Sequence, residues 1–169
     1  MKSRIWTCFS AIAVALFSLL ATSGRVSADE NNQFKWVISV SASALASDGS
    51  SITLTGSGTF STDESDQVTG GGTWSESTGG SGKFQVTRLV RFELAPGSTT
   101  NPSIHAGLAF LRVAYSDGSR GVLTVSCALP GSPSNIEDGA HASKGFVDYF
   151  NRQPVPAPVF FQQLSGTGN

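Results

Sequence analysis

Two stretches decide the fold, ITLTGSGTF at residues 52–60 and VTGGGTW at residues 68–74. In both, apolar side chains mostly alternate with threonine or serine, which is the period of a β-strand with one buried face. Glycines interrupt that apolar face; they are Gly56, Gly58, Gly70 and Gly72. A glycine inside a strand marks a sharp bend or a close approach to the backbone. The glycines therefore either empty part of the sheet to leave a cavity, or allow the sheet to coil tightly.

Alternation of this kind continues through most of the chain, and helical periodicity is nearly absent. Further strands are predicted at residues 34–40, 84–94, 103–115 and 122–129, and two more at 145–151 and 158–164. Turns rich in serine, glycine and aspartate separate them, which is typical of antiparallel sheets. We predict an all-β fold, an antiparallel meander that closes into a six- to eight-stranded barrel, because closure removes exposed sheet edges.

An Asp-Gly pair at residues 117–118 predicts the register of one hairpin. This pair is typical of a two-residue turn, since both central residues of that turn need a positive φ. Such a turn pairs Ser116 with Ser119 and directs Phe110 and Arg112 to the inner face. Apolar side chains of the opposite parity would then form an outer face through which a homo-oligomer could assemble; they are Val37, Leu89, Leu111 and Val113.

The glycines predict the register of a second hairpin. If Phe60 lies opposite Val68, the four glycines face one another in two pairs. Pairing Trp74 with Phe84 on the following strand then sets Arg88 across from one of these pairs. The glycine-bearing stretch would thus carry a charged side chain on its inner face.

The first 28 residues have the layout of a secretory signal peptide. Lys2 and Arg4 precede an apolar stretch at residues 5–21, and small residues at 26–28 provide a cleavage site. We expect residues 29–169 to form a single β-barrel domain that is secreted or periplasmic. An uncleaved membrane anchor is the alternative.

Composition argues against several classes of function. The formal net charge is −1 and no basic cluster is present, which disfavours nucleic acid as a partner and, after signal removal, membranes. The two histidines and the cysteine that remains after cleavage do not have the spacing of a metal site. The chain contains neither a Gly-x-Ser-x-Gly elbow nor a phosphate-binding glycine loop. We therefore expect no metal and no cofactor, and assign no catalytic residue.

Two arginines are the sharpest candidates for ligand binding. Arg88 and Arg112 fall on the predicted inner face, where a buried guanidinium must be paired. The partner could be a ligand carboxylate or an acid from the loop at residues 137–148. Alternatively, one or both arginines lie at a barrel mouth and reach water, or lie outside because the register is shifted. Aromatic side chains could line the same pocket or simply pack as core; they are Trp36, Trp74, Phe84 and Phe110.

The segment IEDGAHASKG at residues 136–145 contains the densest cluster of titratable groups. His141 lies there with two acids and a lysine, and a loop over a barrel mouth could use it to bind a ligand or to transfer a proton. The alternative is a solvated loop. Cys127 alternates with apolar residues and is predicted to be a buried hydrophobic side chain rather than a nucleophile.

The motifs GSGTF at residues 56–60 and GGGTW at residues 70–74 resemble the small barrels of the dirigent and allene oxide cyclase group. The resemblance covers residues 50–95. It implies an eight-stranded barrel, exported in the dirigent branch, that takes an apolar substrate without a cofactor. No catalytic residue of that group can be carried over to this chain.

Three functions remain open at this point. The first is binding of a small, largely apolar molecule, with or without an acidic group, in the barrel interior. The second is a cyclase or isomerase of the dirigent or allene oxide cyclase type, in which an arginine stabilises developing negative charge. The third is a non-catalytic structural or interaction module with a filled interior.

Overall fold

The computed structural model describes residues 32–153 and 159–165. The predicted signal peptide lies outside these residues, as does residue 158 of the last predicted strand. Eleven strands are present: β1 (Gln33–Leu45), β2 (Ser51–Ser61), β3 (Gly71–Glu76), β4 (Ser81–Leu94), β5 (Ile104–His105), β6 (Gly107–Tyr115), β7 (Arg120–Cys127), β8 (Gly139–Lys144), β9 (Val147–Tyr149), β10 (Asn151–Arg152) and β11 (Val159–Gln163). The described residues include no helix, and so none that could cross a membrane.

All strands belong to one antiparallel sheet, which confirms the predicted all-β antiparallel class. The order is β5-β11-β1-β2-β3-β4-β6-β7-β8-β9, and β10 pairs with β1 beside this path. The hydrogen-bonded path has two ends, β5 and β9, so strand pairing does not close the sheet into a barrel. There are more strands than the six to eight predicted, because long extended segments change partner. For example, β5 pairs with β11 whereas β6, one residue later, pairs with β4 and β7.

The sheet curves enough to enclose one apolar core. Strand β1 contacts β8, and β11 contacts β7, although neither pair is hydrogen bonded. Side chains from the concave face of nearly every long strand meet there. The largest fully buried apolar ones include Trp36, Phe60, Phe161, Ile52, Leu54, Leu111, Leu123 and Val125. Removing this apolar surface from water is the main favourable contribution to folding.

The glycine register is confirmed, and it explains what the glycines do. Gly56 pairs with Gly72, and Phe60 forms a bridge to Val68. A Cβ added at Gly72 would lie 1.7 Å from the Thr55 carbonyl oxygen. The backbones of β2 and β3 therefore lie too close together to leave room for a side chain at Gly72. The glycines serve the tight coiling of the sheet and do not leave a cavity. The pairing predicted for the next ladder is wrong by two residues, since Phe84 lies opposite Gly72.

The predicted two-residue turn between β6 and β7 is wrong, and the error reverses the faces of β6. The Tyr115 N–H donates to the Ser119 carbonyl at 2.9 Å, and the Gly118 N–H donates to the Tyr115 carbonyl at 3.0 Å. Gly118 has a φ of 89°. This is a three-residue loop, in which a type I turn is followed by a glycine in the left-handed region. The one-residue shift exchanges the two faces, so Arg112 points outward and Leu111 inward.

An irregularity in β4 has the same effect on Arg88. The register with β6 shifts between Val86 and Arg88, and again between Leu89 and Arg91. Such a shift inserts an extra residue and redirects the side chains that follow. Leu89 therefore enters the core, while Arg88 is exposed. The apolar outer face predicted for dimerisation does not form, because Leu89, Leu111 and Val113 are all core residues.

Candidate functional site

The structure divides the predicted ligand-binding residues between two faces of the sheet. Three of them, Trp36, Trp74 and Phe84, are buried in the core, as the core alternative expected. Trp74 and Phe84 both pack against Tyr115, with ring centroids 5.8 and 6.3 Å apart. The other four, Arg88, Phe110, Arg112 and His141, lie on the outer face or at the surface. The predicted residues therefore do not assemble into one interior site.

Arg88 forms a surface ion pair instead of facing the interior. Its side chain is 54% exposed and its Nε lies 3.7 Å from Asp66 Oδ1. The guanidinium also donates to Ser65 Oγ at 3.3 Å. Exposed pairs of this kind contribute little to stability because water and salt screen them.

A pocket forms on the outer face of β7, where residues 128–138 fold back over the sheet. The Ala128 N–H donates to Asp138 Oδ1 at 2.7 Å, which closes this segment on itself. Thr124 and Ser126 point to this outer face, yet both are buried, and Ser126 lines the pocket together with Asn135 and Ile136 of the folded-back segment. A cavity of about 280 Å³ remains beneath it. Its walls are Glu93, Leu94, Ala95, Pro96, Leu108, Ser126, Asn135, Ile136 and Arg152, and we call it the Ser126 pocket.

The lining of the Ser126 pocket includes a buried hydroxyl and a cation. Ser126 is 1% exposed, and within the described part of the chain its Oγ has no hydrogen-bond partner. Arg152, on β10, donates from Nη1 to the Glu137 carbonyl at 2.8 Å, which occupies one of the five N–H groups of its guanidinium. Glu93 at the pocket wall forms an ion pair with Arg91. The pocket thus offers a hydroxyl and a guanidinium to a ligand.

His141 lies on the same outer face of the sheet, on strand β8 rather than in the predicted loop. It pairs across the ladder with Thr124, two residues along each strand from the pair of Ser126 with Gly139. Burial lowers the pKa of His141, and the positive charge of Arg152 lowers it further. Its Nδ1 is buried, and none of the described residues bonds to it. Burial and Arg152 thus favour the neutral form of His141, which lies beside the pocket rather than among the residues that line it.

A second polar cluster lies where β3, β8 and the β6–β7 turn meet. Lys144 Nζ is 2.6 Å from Asp117 Oδ2, 3.3 Å from Glu76 Oε2, and 4.1 Å from the centre of the Trp74 ring. The Tyr149 hydroxyl donates to Glu76 Oε1 at 2.6 Å. We call these five residues the Lys144 network. The sequence analysis considered Lys144, Trp74 and Asp117 separately and gave no signal that they meet Glu76 and Tyr149, because these residues are distant in the chain.

The Lys144 network perturbs the protonation of its members. Burial, followed by the hydrogen bond to Glu76, raises the pKa of Tyr149 to about 12. The hydrogen bond from Lys144 holds the pKa of Asp117 well below its usual range. Burial alone would lower the pKa of Lys144, but bonds to Asp117 and Glu76 outweigh it and raise that pKa. Each charged group has a partner within the network, so the network is suited to holding three strands together rather than to binding a ligand.

Cys127 behaves as predicted. It is buried in the core, and burial raises the pKa of its thiol to about 12, so the reactive thiolate is absent at neutral pH. Within the described residues, no group of three or more histidine, cysteine, aspartate or glutamate side chains could hold a metal ion. The expectation that the protein uses no cofactor stays a prediction.

The fold and the Ser126 pocket define an all-β antiparallel protein with a small cavity on the convex side of its sheet. No family model, curated protein or solved structure matches this chain. The sequence contained no signal for the pocket. The alternation of polar and apolar residues along β7 predicts that Ser126 faces solvent. Arg152 lies in a segment where that alternation is weak.

Proposed function

We propose that this protein is an exported, cofactor-free binding protein that takes a small, largely apolar carboxylate in the Ser126 pocket. The volume of about 280 Å³ is just below the range of typical small-molecule sites, which starts at about 300 Å³. A ligand of this size has a short hydrocarbon portion and one polar group. The proposal keeps the acidic, mostly apolar ligand expected from the sequence and moves its site from the interior to the outer face.

The pocket walls match the two parts of such a ligand. Leu94, Leu108 and Ile136 provide apolar surface for a hydrocarbon chain. At the polar side, the hydroxyl of Ser126 and the N–H groups of Arg152 that bond to none of the described residues can both donate to a carboxylate. Hydrogen bonds that involve a charged partner are roughly twice as strong as neutral ones. A carboxylate therefore suits the site better than an alcohol of equal length.

The unpaired Ser126 hydroxyl is the observation that carries the proposal. Most buried polar side chains in proteins have a partner, and an unpaired one calls for an explanation such as an absent ligand or water. Leaving a hydroxyl unpaired costs about 1–3 kcal/mol. The adjacent cavity and cation provide the place and the charge for a ligand that would remove this cost.

Calorimetric titration with hexanoate, and with hexanol as the uncharged control, tests the proposal. We expect saturable binding of hexanoate and affinity for hexanol lower by about tenfold or more. Ser126→Ala and Arg152→Met should each weaken hexanoate binding by a similar factor, while Arg88→Met, which alters a surface pair, should not. Equal affinity for the acid and the alcohol, or an unchanged affinity in both pocket variants, would contradict the proposal.

A second candidate function is binding inside a barrel-like interior. Trp36 is fully buried, and its indole N–H has no acceptor among the described residues. We propose that the curved sheet closes around a ligand as a barrel and that this indole N–H then donates a hydrogen bond to the ligand. Tryptophan emission separates the two sites, because hexanoate in the Ser126 pocket should leave the emission of Trp36 unchanged. The cyclase or isomerase alternative stays a prediction, but without the arginine role expected from the sequence, since Arg88 and Arg112 lie outside the core.

A further inference from the structure

A second concave surface lies on the same outer face of the sheet, beyond Phe110. It has a volume of about 550 Å³. Its lining residues are Thr87, Arg112, Val113, Ala114, Arg120, Gly121 and Val122, and we call it the arginine groove. The pair of Phe110 with Thr124 separates it from the Ser126 pocket along the β6–β7 ladder. The two surfaces share no lining residue.

The ladder brings the two arginines of the groove close together. Arg112 pairs with Val122, and Arg120 pairs with Ala114, so the arginines are diagonal neighbours on adjacent strands. Diagonal neighbours on one face lie about 7–8 Å apart, which is within reach of long side chains. The residues between them are small or medium in size, so the floor of the groove stays low between the two guanidinium groups.

Neither arginine has a compensating acid in the part of the chain that the structure describes. Within residues 32–153 and 159–165, no carboxylate lies within 4.0 Å of Arg112 or Arg120. By contrast Arg88, which pairs with Arg112 across the β4–β6 ladder, is 3.7 Å from Asp66. Two neighbouring positive charges without an acid repel each other, and an anion placed between them would remove that repulsion.

We propose that the arginine groove binds the anionic head of a phosphate or sulfate monoester. A guanidinium presents a planar fork of donors that matches the oxygens of such groups, and two forks can share one tetrahedral anion. The organic part of the ester would lie along Ala114 and Val122. Thr87 donates to the Arg112 carbonyl at 3.3 Å and so holds β4 against β6 at this point. The site goes beyond the proposed function, because it uses other residues and another anion.

Calorimetric titration with phenyl phosphate and with phenyl sulfate tests this inference and separates the two sources of the anion. We expect saturable binding of at least one ester, and affinity lower by about tenfold or more in Arg112→Gln and in Arg120→Gln. Arg88→Gln is the matched control, since it removes an equal charge from the adjacent strand where the arginine is already paired. It should change the affinity by less than about twofold.

Three outcomes would overturn the inference. The first is that neither ester binds saturably, and the second is that the affinity is unchanged in both groove variants. The third is that Arg88→Gln loses as much affinity as the groove variants do, which would indicate diffuse attraction to surface charge. Preference for one ester identifies the anion within the proposed class. Ser126→Ala should leave ester binding unchanged, and Arg112→Gln should leave hexanoate binding unchanged. Failure at one site is therefore distinguishable from failure at the other.

Discussion

The Lys144 network and the Ser126 pocket are both polar clusters with buried members, but they differ in how well their groups are paired. In the network, the ammonium group, both carboxylates and the Tyr149 hydroxyl all have partners at 2.6–3.3 Å. In the pocket, the Ser126 hydroxyl has none among the described residues, and neither does the nearby His141 Nδ1.

This difference indicates different roles. Groups buried for stability are usually satisfied, because an unpaired one costs free energy that folding must offset elsewhere. A protein that leaves polar groups unpaired beside a cavity has given up stability at that place, which is expected of functional sites. The network is therefore the structural cluster and the pocket the candidate for ligand binding. The two clusters should respond to substitution with opposite signs.

The largest effect is expected from Lys144→Met. The change removes the ammonium group from above the Trp74 ring and leaves the Glu76 carboxylate, 13% exposed, without its cation. Removing one partner of a buried ion pair lowers the free energy of unfolding by about 3 kcal/mol. Urea denaturation would measure it, with Lys83→Met at an exposed position as the control. A loss no larger than that of the control would show that the network does not stabilise the fold.

A smaller loss, with a pH signature, is expected from Tyr149→Phe. The variant loses a hydrogen bond to a charged carboxylate, which is worth about 2 kcal/mol. The folded pKa of Tyr149 is about 12, above its ordinary value of 10.0. The tyrosine's contribution is therefore complete below pH 10 and is lost as pH rises toward 12. Denaturation from neutral to alkaline pH should show the two proteins converging over this window. Parallel curves would mean that Tyr149 does not titrate as described.

The smallest change, and one of opposite sign, is expected from Ser126→Ala. Removing an unpaired buried hydroxyl should raise the free energy of unfolding by about 1 kcal/mol. Ser143→Ala is the matched control, because its Oγ accepts the Val122 N–H at 3.0 Å and its loss should be destabilising. Urea denaturation without added ligand measures both. If Ser126→Ala destabilises the protein as much as Ser143→Ala does, its hydroxyl is already satisfied and the contrast between the clusters disappears.

The sequence allowed part of the fold to be predicted well. Alternation with a period of two predicted antiparallel strands, and the glycines of β2 and β3 predicted their own pairing correctly, since Gly56 lies opposite Gly72. Both predictions rest on local properties, the pleat of a strand and the missing Cβ of glycine. The same alternation correctly predicted that Cys127 is buried.

The candidate site could not be predicted, because it depends on single-residue events that alternation does not reveal. One extra residue in the Ser116–Gly118 loop reversed the faces of β6, and the register shifts in β4 exposed Arg88. The pocket also forms only when residues 128–138 fold over β7 and Arg152 of β10 lies at its wall. No local pattern specifies those contacts between distant parts of the chain.

The all-β class and the glycine hairpin thus followed from the backbone chemistry of neighbouring residues. Which arginines face water, which serine is buried without a partner, and whether glycine leaves a cavity or a close backbone contact were decided by how the strands pair and curve. A strand exposes either of its faces equally well until its neighbours are in register. For this reason the local pattern defined the strands, and the assembled sheet defined the surfaces on which a ligand could bind.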